Sequence, residues 1–240
     1  MSDAMQNTVQ DQDLAAAIAQ QQASRASFVI DTYKWLCAAI LGFAALSYVL
    51  SSLGVGVAMV NSMAGSKYMW LAYLGGFMVV GWLASSMADT MGSKRAQLAG
   101  LGLYVVAEAL LFAPLFAIAA KVAPGSIGAA VLVTAALVVA LTVTAYTSKR
   151  DFSFLGSFLK VGGIVALGVI VASIVFGFTL GIVFSGAMVL FAGGCVLYDT
   201  NNILRHYPTD RPVGAALHLF ASIALMLWYV LRFIMDLARD

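Results

Sequence analysis

The chain has 240 residues, 62% of them hydrophobic and 10% charged, with a formal net charge of +2. An ordinary soluble domain is about a quarter charged, so this composition excludes one and points to lipid as the solvent. The basic residues are scattered between apolar segments and form no patch, which excludes a nucleic-acid partner.

Residues 1–27 are polar and rich in Gln, Ala and Asp. They lack the basic start and early apolar core of a secretory signal. They are expected to form a mobile cytoplasmic tail, with a short helix possible between Asp13 and Gln22, ahead of a membrane domain over residues 28–240. A spanning helix needs about 20 mostly apolar residues. Seven stretches qualify: Lys34–Leu53, Tyr68–Ala88, Leu98–Ala120, Ser126–Tyr146, Phe158–Phe176, Leu180–Leu204 and Val213–Met235. The fold class is therefore an all-α membrane protein of seven transmembrane helices. Short linkers make neighbouring helices antiparallel, and the turn at Gly177–Thr179 is the tightest.

Lysine and arginine placement sets the orientation. With the N-terminus cytoplasmic, nine basic residues fall inside (Arg25, Lys34, Lys94, Arg95, Lys149, Arg150, Lys160, Arg205, Arg211) and four outside (Lys67, Lys121, Arg232, Arg239). That asymmetry predicts a cytoplasmic N-terminus and an extracytoplasmic C-terminus. The two cysteines, Cys37 and Cys195, lie inside apolar segments and read as buried free thiols. His206 and His218 form no HExxH and there is no CxxC, so neither a metal nor a cofactor is expected.

Two carboxylates lie within the apolar segments, Glu108 and Asp199. A carboxylate in hydrocarbon is costly and is seldom left without a partner or a path to water. Glu108 is about ten residues, or roughly 15 Å, into the third segment, near the midplane. Pro114 follows. It withholds a ladder hydrogen bond and frees a carbonyl near Leu110, so a kink and a polar pocket are expected there. Glu108 reads equally as a neutral clip across the bundle. Asp199, in VLYDTNNILRHYP, is about a turn from the end of the sixth segment, where an acid opposes the helix dipole and calls for compensation. An aspartyl protease needs a second acid in the next helix, and that segment has none before Asp236. With no Gly-x-Ser-Gly and no lysine in the seventh segment either, no enzyme activity is expected.

Three stretches carry a resemblance: GLYVVAEALLFAPL (Gly102–Leu115), TAYTSKRDFSFLGSFL (Thr144–Leu159), and LFAGGCVLYDTNNILR through LHLFASIALMLWYVLR (Leu190–Arg232). In order and spacing the chain resembles the Bax inhibitor/YccA family, also called the transmembrane BAX inhibitor motif family, over roughly residues 28–236. The resemblance implies six helices around a central seventh, with a polar site near the cytoplasmic side. In channel-like members, aspartates on helices 6 and 7 share that site, and their protonation is linked to a pH-sensitive calcium leak. Asp199 matches the first aspartate. Ser222 stands at the second and Leu225 at a nearby asparagine, and the second segment has no basic residue to bridge such a pair. These departures resemble the bacterial YccA branch of the inner membrane, whose members modulate the membrane protease FtsH.

Two function classes follow. One is a modulator or substrate of an FtsH-type AAA protease. The other is a pH-sensitive leak for calcium ions or protons, which a second carboxylate beside Asp199 would favour. His218 and Ser222 are four residues apart on one helical face and at the depth of Asp199. They are its expected partners in a pH-sensing site, with the alternative that His218 bonds only to backbone or interfacial water.

Overall fold

The computed structural model describes residues 2–148 and 150–238, with side chains from residue 12 onward apart from residue 67. Met1, Lys149 and Arg239 of the sequence reading lie outside the described residues. The described chain folds into eight helices: α1 Ser2–Ser52, α2 Val55–Met63, α3 Lys67–Ala88, α4 Lys94–Val122, α5 Ser126–Thr147, α6 Leu155–Phe176, α7 Gly181–Arg205 and α8 Pro212–Leu237. Seven of these, all but α2, are long and apolar enough to cross a bilayer.

Local chemistry explains most boundaries. Ser66 and Ser93 cap α3 and α4 by accepting from the backbone N–H groups of Tyr68 and Ala96, each at 3.3 Å. Such caps satisfy donors that the helix itself leaves unpaired. Gly177 ends α6 with φ 77°, a conformation that a side chain would penalise. Pro212 starts α8 at a position where its missing N–H costs nothing.

Two differences from the sequence reading stand out. The polar residues before 28 are helical from Ser2 onward, well beyond the short helix expected between Asp13 and Gln22, and continuous with the first span. Alanine and glutamine favour helix, and no glycine or proline interrupts the stretch. The supposed linker after α1 contains α2, a nine-residue helix set off by Gly54 at φ 70°. It is too short to span and lies against α4. Gly56 makes that approach possible, because any side chain there would collide with the Ala113 carbonyl.

The helices are sorted by burial. In α8, 67% of the apolar window is buried, against 6% in α6. α8 packs against α1, α3, α4, α5 and α7. A ring cluster fills the space between them: Phe112 lies 5.1 Å from Phe43 and 5.2 Å from Trp228, both edge-on. Contacts of this kind matter because lipid offers helices no hydrophobic drive to associate. Leu132, Ile164, Val183 and Leu190 point outward, as a lipid-facing surface requires. Cys37 is also on the outside, a correction to its reading as buried, and both cysteines are free.

Candidate functional site

At one end of the bundle meet the α3–α4, α5–α6 and α7–α8 connections and the part of α1 around Arg25. This polar end is organised by a residue that sequence reasoning passed over as a segment end, Asp89. It caps the C-terminus of α3. Tyr207 donates its hydroxyl to Asp89 Oδ1 at 2.6 Å, and His218 Nε2 lies 3.1 Å from Asp89 Oδ2. Arg211 donates to the Asp89 carbonyl at 3.0 Å. Arg25 of α1 donates to the Tyr207 carbonyl at 2.5 Å, and the Phe28 ring stacks on Tyr207 at 6.1 Å. Asp89 thus ties α3 to α8 and to the α7–α8 connection. Burial by itself would raise the Asp89 carboxyl. Hydrogen bonds from His218 and Tyr207, with the charges of His218 and Arg211, outweigh it and hold the group below its usual range. The Tyr207 hydroxyl shifts upward, first through burial and then through its bond to Asp89.

One turn deeper, Ser222 of α8 donates to Asp199 Oδ2 of α7 at 2.5 Å. His218 lies within electrostatic reach of Asp199, but its hydrogen bond goes to Asp89. That corrects the expected Asp199–His218 pair. Gly214 lets the start of α8 seat closely against Ala88 and Asp89 at the α3 terminus, which puts the imidazole within reach of Asp89. The imidazole therefore has two carboxylates near it, Asp89 at the end of α3 in hydrogen-bond contact and Asp199 of α7 within electrostatic reach. A second latch lies beside it. Asp151 of the α5–α6 connection accepts from Asn201 Nδ2 at 2.8 Å, and His206 Nε2 is 3.1 Å away. Hydrogen bonds from Ser153 and Asn201 hold this exposed carboxyl well below the usual range.

Glu108 stands apart from this cluster. It is buried in α4 beside the Tyr104 hydroxyl, with Tyr73 of α3 nearby. Pro114 lies inside α4, which continues through it. The carbonyl it frees, Leu110, accepts a hydrogen bond from the Tyr73 hydroxyl. Tyr73→Phe is expected to cost about 1 kcal/mol, since no water replaces the lost donor. In a Pro114→Ala background, where the ladder N–H returns, the same change should cost almost nothing. Thermal unfolding of the four chains in detergent measures this.

No short motif marks Asp89. The available signals were its place next to a cap and the need of His218 for an acceptor.

Together, seven apolar spans and a polar cluster closing one end define a multi-pass helical membrane protein. Residues 25–239 match the family described as "Inhibitor of apoptosis-promoting Bax1", and the chain belongs to that family. Relatives include an uncharacterised protein of Neisseria meningitidis serogroup A, 27% identical over 193 residues, 77% of this chain and 82% of that protein. Protein LIFEGUARD 3 of Arabidopsis thaliana is 31% identical over 116 residues, 45% of this chain and 46% of its own. Bax inhibitor 1 of Schizosaccharomyces pombe is 34% identical over 96 residues, 38% of this chain and 35% of its own.

Proposed function

We propose that this protein is a pH-sensitive leak for calcium ions or protons in a bacterial inner membrane, with the Asp89–His218–Asp199 cluster as its gate. One observation carries the reading: one imidazole interacts with two carboxylates from different elements, by a hydrogen bond to Asp89 and by charge with Asp199. The charged and titratable groups facing His218 are Asp89 from α3, Asp199 from α7, and Tyr207 and Arg211 from the α7–α8 connection. Lysine and arginine placement orients the polar end towards the cytoplasm, with the N-terminus inside and the C-terminus outside. α8 serves as the central helix about which the others close.

Proton binding at these groups changes what the three elements offer one another. Asp89, ionised at neutral pH, accepts from both Tyr207 and His218. Between pH 5 and 8 the partner that gains or loses charge is the imidazole: protonated, it holds the Asp89 carboxylate as a charged donor, and without the proton it holds α3 and α8 together more weakly. Calcium is cargo in this scheme. The test is flux into liposomes loaded with a calcium dye or a proton dye, from pH 5 to 8. The unaltered chain should leak in a pH-dependent way, and Asp199→Asn should flatten the dependence at least severalfold. Flux no greater than from empty liposomes at every pH, for both dyes, rejects the reading.

A second reading, modulation of an FtsH-type protease in the YccA manner, draws on α1. This helix has 51 residues, roughly 75 Å, against a hydrocarbon core of about 30 Å. Its polar start is a handle such a protease could hold. Removing residues 1–20 should then abolish co-purification with the protease and leave flux unchanged.

A further inference from the structure

On the outer side of the polar end, α1 and the ends of α5 and α7 enclose a groove of about 580 Å³. Gln21, Arg25 and Val29 line one wall, spaced four apart along a single face of α1. Tyr146 of α5 and Leu204 and Arg205 of α7 line the other. The groove thus holds two guanidinium groups above an apolar floor.

Both arginines are held in place without being neutralised. Arg25 uses one nitrogen, Nη1, on the carbonyls of Tyr207 and Ile203, at 2.5 and 3.5 Å. Arg205 uses Nη2 on the Ser148 carbonyl at 2.8 Å. Among the described residues, neither forms an ion pair with a carboxylate. Each guanidinium has five N–H donors, so most of that capacity remains for an anion. The planar fork of arginine suits phosphate oxygens in particular.

Depth identifies the source of the phosphate. Arg25 is about 27 residues before the end of α1, or roughly 40 Å along the helix axis, close to the thickness of a bilayer including its headgroups. With the far end of α1 at one interface, Arg25 lies at headgroup level in the other. Tyr146 and Ile30 beside the groove are 63% and 57% exposed on the outer surface, so the groove is open sideways to lipid. Val29 and Leu204 offer apolar contact to the first carbons of a chain, which an inorganic anion would not use.

We propose that this groove binds the phosphate headgroup of an anionic phospholipid from the leaflet at the polar end. Arg25 and Arg205 share the phosphate, and the acyl chains run down the outer face of α1. Arg25 also connects the groove to the Asp89 cluster through the Tyr207 carbonyl.

The experiment is a melting-temperature titration of the full chain in neutral detergent with phosphatidylglycerol, phosphatidylcholine or inorganic phosphate. Phosphatidylglycerol should raise the melting temperature saturably; the other two should not. A basic residue near anionic lipid contributes enough that Arg205→Gln should weaken phosphatidylglycerol binding about fivefold, and Arg25→Gln with Arg205→Gln about thirtyfold. Lys160→Gln, a basic residue outside the groove, should change it less than about twofold, within experimental scatter. If loss of the Arg25–Tyr207 bond prevents the double variant from folding, Arg205→Gln alone decides. Equal protection by phosphatidylcholine overturns the proposal. So does equal protection by inorganic phosphate, or a phosphatidylglycerol titration unchanged by Arg205→Gln.

Discussion

Gly214→Ala should destabilise the protein by about 3 kcal/mol, because the added methyl group falls on the Asp89 cluster itself. The added Cβ would fall 2.8 Å from the Ala88 carbonyl oxygen, 2.8 Å from Asp89 Oδ1 and 2.9 Å from the Tyr207 hydroxyl. A carbonyl oxygen in a helix has no rotamer to escape into. Either α8 shifts off the α3 terminus or the Asp89–Tyr207 hydrogen bond breaks. Overpacking costs about 1–3 kcal/mol, and loss of a hydrogen bond to a charged group adds about 1.5–3 kcal/mol. Part of the clash is with Asp89 itself, so the two sites are coupled. In an Asp89→Ala background the added methyl should cost at least 1 kcal/mol less, by the logic of a double-mutant cycle. Thermal unfolding in detergent reads both values. If Gly214→Ala melts within the scatter of the unaltered chain, close seating of α8 is not what fixes the cluster.

The second large effect is on pH dependence. The Asp89 carboxyl is held below its ordinary range in the folded chain. Its stabilising contribution is therefore complete above the unfolded value of about 4, and it is lost as pH falls through the lower folded value. Asp89→Ala should cost about 2 kcal/mol at neutral pH, an amount already reduced for solvent screening of a side chain that is 37% exposed. Asp89→Asn keeps the shape and cannot titrate. Its stability should fall less steeply than that of the unaltered chain between pH 5 and pH 3. Parallel curves over the whole range would mean that Asp89 contributes no titrating contact. In the leak assay, the same asparagine variant should lose most of the response to acid, as Asp199→Asn does.

The seven spans were legible because lipid writes a strong local signal. Backbone groups in hydrocarbon must bond within their own segment, so each span is a long apolar run with punctuation at its ends. Family membership was legible for a related reason: the Leu190–Arg232 region keeps its polar residues at set places within such runs. The carbonyl freed by Pro114 was predictable because proline acts on its own helix. That the tyrosine meeting it would come from α3 was not.

Tertiary structure alone decided the rest. α2 was hidden because nine residues are too few to read as a span, and they are held by Gly56 fitting closely against α4. Asp89 sits 129 positions before His218, at a helix end where an acid ordinarily finds water. Only the seating of α8 beneath α3 turns it into a partner. His218 is on the same face as Ser222, as periodicity required, yet helical spacing sets which residues share a face and says nothing of which neighbouring helix supplies the acceptor. By itself, then, the sequence determined the spans, the family and the face of α8 that carries polar groups, all of which follow from interactions a few residues apart. Which carboxylate meets the histidine depended on how the helices pack, because a hydrogen bond forms only where side chains far apart in sequence are brought to the same depth.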